Sequence, residues 1–336
     1  MREVELLGWA FLKEEILKLL KKNPDTYVSS GEICQNLLVT RAAVWKQIQS
    51  LREEGYIIEA RPRRGYRLLQ SPDRLYPAEI REGLSTLVMG QKKIIYFPTL
   101  VSTNDLAWSE AQGGCPEGTL VVAEEQTGGK GRLGRSWHSP YGQGLFFSLV
   151  LRPLVNPQEV ARVTMLAAVA LASAIGEVTG LTVGIKWPND LLVDGKKVSG
   201  ILAEMQGDQD RVNFLIMGAG INVNHQLEDF PEELQPLATS LKLACGQPVV
   251  RVKLLQACLE AFEHWYFLWL EQGFAPVLAR WKELSVTLNR AVRASTLKET
   301  WEGWAQDVDG DGALLLRLPN GAIQKLATGE VSLRVK

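Results

Sequence analysis

The chain has 336 residues, 46% hydrophobic and 22% charged, with a formal net charge of -1. That length allows two or three domains, and that composition excludes a chain too polar to bury a sizeable core. Four dispersed cysteines (Cys34, Cys115, Cys245, Cys258) without C-x-x-C spacing, and three scattered histidines (His138, His225, His264), argue against a Cys/His metal site and for reduced, mostly buried thiols.

The first residues, Met1-Arg2-Glu3-Val4-Glu5, lack the charged-then-apolar order of a secretion signal. The longest apolar stretch, near residues 163–175, is shorter than the 18 or more residues of a membrane span. A cytoplasmic protein with no membrane partner is expected. Residues 1–69 carry 12 Lys/Arg against 9 Asp/Glu, while the remainder carries 25 against 29, so the basic excess sits at the N-terminus.

Leu12, Ile16, Leu19 and Leu20 recur at helical spacing, and Asn23-Pro24-Asp25 ends that first helix. Ser29 and Glu32 have capping-box spacing at the start of a second, short helix. A break at Val39-Thr40 leads into a third helix with Val44, Ile48 and Leu51 inward and Arg41, Gln47 and Gln49 outward, where they could reach base edges and phosphates. Residues 56–59 and 66–69 read as strands around Arg61-Pro62-Arg63-Arg64-Gly65, a basic hairpin tip suited to phosphates. The pattern is a winged helix-turn-helix, with Arg41, Gln47, Arg61, Arg63 and Arg64 as DNA-binding candidates. A three-helix unit for protein contacts is the alternative. Pro72 and Pro77 mark a linker.

Beyond it, residues 94–97, 119–123, 145–151, 184–186, 199–204 and 213–217 read as strands, and 159–178 and 252–270 as helices. In the second helix Phe262, Trp265, Tyr266 and Trp269 are assigned to the core. After Leu288 the chain turns strand-rich. The expected fold class is α+β: an N-terminal winged helix-turn-helix over 1–70, a central α/β mixed-sheet domain over 71–285, and a small C-terminal β-barrel over 286–336.

Two local motifs fail on inspection. Residues 129–136 nearly spell a P-loop, but Arg135 stands where the lysine belongs, and the following Pro- and Gly-broken run leads to a strand rather than a helix. Asp307-Val308-Asp309-Gly310-Asp311-Gly312 begins like a calcium loop, yet position twelve is Leu318 instead of a bidentate glutamate, leaving a β-hairpin turn.

What remains is Gly129-Lys130-Gly131-Arg132-Leu133-Gly134-Arg135 with Lys186-Trp187-Pro188-Asn189-Asp190 and Lys197-Val198-Ser199-Gly200. Glycines let backbone amides close on an anion, and the interleaved cations supply the charge. Together with Ser102-Thr103-Asn104, Glu125-Gln126-Thr127 and Gly218-Ala219-Gly220-Ile221-Asn222, their order and spacing resemble the bifunctional biotin protein ligases that are also biotin operon repressors, across essentially the whole chain.

That resemblance implies an enzyme that activates biotin with ATP to biotinyl-5′-adenylate and passes biotin to a lysine of a biotin carboxyl carrier protein. It also implies operator binding by a homodimer, favoured when the adenylate orders the glycine-rich loop and residues 225–236. By resemblance Ser102, Thr103, Asn104, Gln126, Lys130, Gly131, Arg132, Lys197 and Gly200 bind biotin, with Lys197 and Arg132 catalytic. Arg135, Trp137, Lys186, Asn189 and Asn222 contact the nucleotide, and Asp190 helps place Mg²⁺. The resemblance implies a C-terminal domain that assists ATP and carrier binding. Lys130 and Leu133 depart from a pattern that favours arginine, and lysine lacks the planar fork that grips an anion in two places. Two further readings stay open: a repressor that senses biotin without ligating it, and a ligase for a related acid such as lipoate.

Overall fold

Three helices and a hairpin are what the N-terminal pattern promises, and the computed structural model, which describes residues 2–208, 211–296 and 299–333, contains them. They are α1 (Arg2–Lys22), α2 (Ser30–Leu37), α3 (Arg41–Glu53), β1 (Ile57–Arg61) and β2 (Gly65–Gln70). Ser29 caps α2 by accepting from the Glu32 amide at 3.1 Å, and Thr40 caps α3 by accepting from Ala43 at 3.2 Å. Ile16, Leu20, Ile33, Val44, Ile48 and Leu51 are fully buried and form the unit's core.

One expectation is corrected here. Gln47 does not face outward: it lies buried, in line with Val44, Ile48 and Leu51 at i, i+3, i+4 and i+7. The exposed face carries Arg41, Ala42, Trp45 and Lys46 instead, with Gln49 half-buried. The cause is periodicity, because Gln47 sits on the same 3.6-residue stripe as the apolar residues.

The hairpin pairs Ile58 with Leu68 and Arg61 with Gly65. Gly65 has φ +110° and a Cβ there would stand 2.1 Å from the Val28 carbonyl oxygen, so only glycine fits. At the tip Arg63 and Arg64 are exposed. Arg61, also exposed, donates to Glu59 at 2.8 Å and lies over the Tyr27 ring, as does Arg67.

Contacts divide the chain into residues 1–73 and 74–336. The second unit is built on a seven-stranded sheet from β3 (Ile94–Leu100), β4 (Leu120–Gln126), β5 (Gly144–Leu151), β6 (Gly184–Lys186), β7 (Asp190–Val193), β8 (Lys196–Gly207) and β9 (Val212–Asn222). Strand order is β3-β4-β5-β9-β8-β7-β6, mixed because β3 and β4 run parallel while the other neighbours run antiparallel.

Helix α5 (Thr103–Gln112) packs Ala107 and Ala111 against Val121, Val150, Phe214 and Ile216 on one face. After the short α4 (Pro77–Arg81), the other face is covered by α6 (Val160–Thr179) and α8 (Arg251–Gln272), with α7 (Leu241–Cys245) and α9 (Ala275–Leu284) beside them. Helices on both faces explain why all eight residues of β5 are buried, a continuous run rather than an alternation. Helix α6 is long and apolar enough to cross a membrane by length and composition, yet 61% of its most apolar window is buried in protein. Phe262, Tyr266 and Trp269 of α8 are core, as expected, while Trp265 is half-buried.

The strand-rich end forms a five-stranded antiparallel sheet from β10 (Arg290–Ser295), β11 (Thr300–Val308), β12 (Leu314–Arg317), β13 (Ile323–Leu326) and β14 (Glu330–Leu333) in the order β13-β12-β11-β10-β14. Among the described residues its edge strands, β13 and β14, are not paired with each other. Its Val292, Ala294, Leu314 and Leu316 join the same apolar cluster as α6 and α8.

Candidate active site

The first turn of α5, the end of β4, the loop over residues 127–143, the β6–β7 turn and the glycines of β8 and β9 surround one cavity of about 420 Å³. Ser102, the N-cap of α5, accepts from the Asp105 amide at 3.4 Å. This cap places Thr103 and Asn104 in the first turn, pointing back over the sheet, and both are buried.

A polar chain runs beneath them. Gln126 Oε1 accepts from the Thr103 amide at 2.8 Å and from its hydroxyl at 3.1 Å. Ser148 Oγ lies 2.8 Å from Thr103 Oγ1 and donates to Asn104 Oδ1 at 2.6 Å, while Asn104 Nδ2 donates to Glu204 at 2.7 Å. A fully connected chain fixes both amide orientations and leaves a rigid set of donors and acceptors at one end of the cavity.

The floor is glycine. A Cβ on Gly218 would stand 2.0 Å from Asn104 Oδ1, and one on Gly220 would stand 2.4 Å from Trp137 Nε1. Trp137 therefore lies flat on the β8–β9 backbone, with Lys197 Nζ 5.2 Å from its ring centroid.

Cations form the other end. Lys130 pairs with Asp105, and this hydrogen bond raises its pKa. Lys197 pairs with Asp190 at 2.6 Å and Arg135 with Glu330 at 2.6 Å. Arg132 donates to Asn189 Oδ1 at 3.1 Å, and burial lowers its pKa against the opposing pull of Asp190 and Glu330. Asn189 is itself held by its Nδ2 on the Ile201 carbonyl at 2.8 Å. Among the described residues neither Arg132 nor Lys186 has a carboxylate within ion-pair distance, although both line the cavity, which makes them its least compensated positive charges.

The β6–β7 turn aims Lys186 and Asp190, which face each other across the strand pair around a cis Trp187–Pro188 bond. The loop at 129–135 contains a single 3₁₀ turn, Arg132–Gly134, and opens no helix. That is the geometry expected once a P-loop is rejected. Likewise Asp309 serves a hairpin turn, accepting from the amides of Asp311 and Ala313.

Ser102, Thr103, Asn104, Gln126, Lys130, Gly131, Arg132, Arg135, Trp137, Lys186, Asn189, Asp190, Lys197 and Gly200 all line this one cavity. Asn222 does not: it is buried at the end of β9, where its amide donates to the Thr239 carbonyl at 3.1 Å.

Sequence reasoning missed Ser148 and Glu204 beneath Thr103 and Asn104, Asp105 opposite Lys130, and Glu330 and Ser332 from the C-terminal sheet. A lone serine within the apolar run of β5 was a readable signal for Ser148. Nothing local announced Glu330.

Residues 96–222 match the Biotin/lipoate A/B protein ligase family, 13–67 an HTH domain, and 287–334 the Biotin protein ligase C terminal domain. The chain is 44% identical over 322 residues to the bifunctional ligase/repressor BirA of Bacillus subtilis, covering 96% of this chain and 98% of that protein. It is 30% identical over 324 residues to BirA of Escherichia coli, covering 95% and 97%. Among solved structures, the biotin protein ligase from Aquifex aeolicus in complex with biotin and ATP superposes with a TM-score of 0.62 at 29% identity, covering 73% of this chain and all of that one.

Proposed function

The chain belongs to the biotin protein ligase family, in its bifunctional ligase/repressor branch, and from that membership we propose how its cavity works. The protein is an ATP-dependent biotin protein ligase and a repressor with an N-terminal DNA-binding module. Biotin and ATP are its substrates. It forms biotinyl-5′-AMP and transfers biotin to a lysine of a biotin carboxyl carrier protein.

One observation carries the assignment of roles: a rigid donor–acceptor end and a cationic end meet in a single cavity. The ureido ring of biotin carries both N–H donors and a carbonyl acceptor, which suits Ser102, Thr103, Asn104 and Gln126. Bringing a carboxylate onto an α-phosphate joins two anions, so the reaction needs fixed positive charge and positioning rather than a covalent protein group. Arg132 and Lys197 supply that charge at the reacting atoms, with Lys130 and the Gly131 amide on the biotin carboxylate. Trp137, Lys186, Arg135 and Asn189 take the nucleotide.

Mg²⁺ is held in such sites by one or two carboxylates plus substrate phosphates, and Asp190, the acid of the β6–β7 turn, is the residue that fits. Bound there it would neutralise phosphate charge. Lys197 lies on Asp190 Oδ1 at 2.6 Å, so the carboxylate would hold the metal through its other oxygen or share its charge with the lysine.

The division of labour follows as 1–70 for operator DNA, 71–285 for catalysis and 286–336 for a supporting β-domain that reaches the cavity through Glu330 and Ser332. Ordering of the 127–143 loop by adenylate favours a homodimer that places two DNA-binding modules on one operator. Acting on DNA and carrier alike, the protein works in the cytoplasm.

The test is biotin-dependent exchange of labelled pyrophosphate into ATP. The native chain should exchange only with biotin present, and Lys197→Ala should lose at least two orders of magnitude, the usual worth of one charge-stabilising group. Exchange driven equally by lipoate, or none at all, overturns the reading.

A further inference from the structure

With Gln47 buried, the question is what the exposed face of α3 presents to DNA. Ala42, Trp45, Lys46 and Gln49 share it at i, i+3, i+4 and i+7, opposite the buried stripe. Trp45 is 59% exposed. Tryptophan is on average among the more buried residue types, so one standing out from the middle of a helix asks for a partner. Arg41 lies one turn before it and Gln49 one turn after.

The surroundings choose the partner's chemistry. Helix α3 carries Arg41, Lys46 and Arg52 against one acid, Glu53, in its last turn, and the hairpin tip adds the exposed Arg63 and Arg64. Such a surface complements a polyanion rather than an apolar protein groove. Within the DNA major groove the base edges are polar donors and acceptors with one apolar exception, the C5-methyl of thymine.

We infer that Trp45 is a specificity-determining residue of the DNA-binding module, reading thymine by packing its indole on the C5-methyl between the polar contacts of Arg41 and Gln49. This rests on the operator-binding reading above. It assigns the sequence preference to an apolar contact, whereas the sequence pattern alone pointed to glutamines and arginines.

The experiment uses the full chain with biotin and ATP to select bound duplexes from a random-sequence pool. Each dT of the enriched site is then replaced singly by dU, which removes only the methyl group. At one or two positions per half-site affinity should fall about four-fold, the worth of one methyl-sized group taken out of water. Trp45→Ala should bind the dT duplex more weakly and show no dU penalty at those positions, and Trp45→Phe should recover part of it.

A dU series that is flat at every thymine overturns the inference while leaving operator binding intact. So does an unchanged penalty in Trp45→Ala. A flat series combined with altered sedimentation of Trp45→Ala in the absence of DNA makes this face a contact between copies and equally overturns it. Failure to enrich any duplex removes the operator reading and this inference together. The dU series on the native chain needs no variant to fold.

Discussion

Gly218→Ala tests whether the polar chain beneath the cavity is what binds biotin. The added Cβ would stand 2.0 Å from Asn104 Oδ1 and 2.7 Å from its Cγ, so Asn104 must leave its place. It is buried and held on both sides, by Ser148 at 2.6 Å and by Glu204 at 2.7 Å. Losing a neutral hydrogen bond costs about 1 kcal/mol and one to a charged group about 2 kcal/mol, so biotin, which must then cover Ser148 and Glu204 without their partner, binds about 3 kcal/mol more weakly. At 1.4 kcal/mol per tenfold, biotin Kd should rise about 100-fold. The backbone should keep its ladder, since Gly218 pairs with Ser148 and Leu202 in ordinary extended conformation. Calorimetric titration of biotin reads the effect, and Asn104→Ser in the same chain should make Gly218→Ala nearly silent, a strong non-additivity. A biotin Kd within threefold of native in Gly218→Ala would refute the reasoning, because the clash would then be absorbed without touching recognition.

Three other outcomes follow from the same structure. Arg251→Met strands Glu124, which is wholly buried and receives Arg251 Nη1 at 2.7 Å and the Leu75 amide at 2.9 Å, and should lower unfolding free energy by about 3–5 kcal/mol in urea titration. A loss under 1 kcal/mol means Arg74, at 3.5 Å, suffices for Glu124. His225 is fully buried with neither ring nitrogen hydrogen-bonded; burial, then repulsion from His138, opposed by Asp229, takes its pKa from 6.5 down to about 4. Above pH 6.5 it is neutral in both states, whereas between 6.5 and 4 the unfolded chain binds the proton and the native one does not. Stability therefore falls with falling pH, by about 3 kcal/mol in all, and His225→Phe should remove that slope and cost nothing at pH 7; parallel urea curves for the two chains at pH 7 and 4.5 would contradict this. Deleting residues 1–73 should leave biotin-dependent pyrophosphate exchange intact and abolish operator retention in a gel-shift assay; loss of both activities sinks the modular assignment.

Local signals were strong wherever one residue type does one physical job. Ser29 and Thr40 announced helix starts, and their hydroxyls do take the first-turn amides. Gly218 and Gly220 stood in the motif set, and the structure shows what glycine admits there: Asn104 over the first and Trp137 over the second. Strand β7 went unread although Asp194-Gly195 carries the hairpin signature, with φ of +49° and +77° at the two turn positions. Gln47 was misread because polarity suggested exposure while its place in the 3.6-residue period put it inside. Glu330 was illegible on principle, since its meeting with Arg135 spans 195 residues and depends on how the C-terminal sheet closes on the core.

The cations of the cavity divide by partner, and the division bears on how substrates are held. Lys130, Arg135 and Lys197 each rest on a protein carboxylate: Asp105, Glu330 and Asp190. For these three a substrate anion exchanges one carboxylate for another, so the gain is a difference between two ion pairs and is small at an exposed pair such as Arg135–Glu330. Arg132 and Lys186 have no such pair to break among the described residues, and Arg132 is already desolvated enough to lower its pKa. A phosphate arriving there has no ion pair to displace, although Asp190 and Glu330 still act on Arg132 from a distance. The departure of Lys130 from arginine is accordingly mild: Asp105 already draws on its charge, and a point charge can leave one carboxylate for another without surrendering a two-pronged grip. On the proposed roles, Arg132→Ala should therefore weaken ATP binding more than Lys130→Ala does, a comparison that calorimetric titration of the two variants reads.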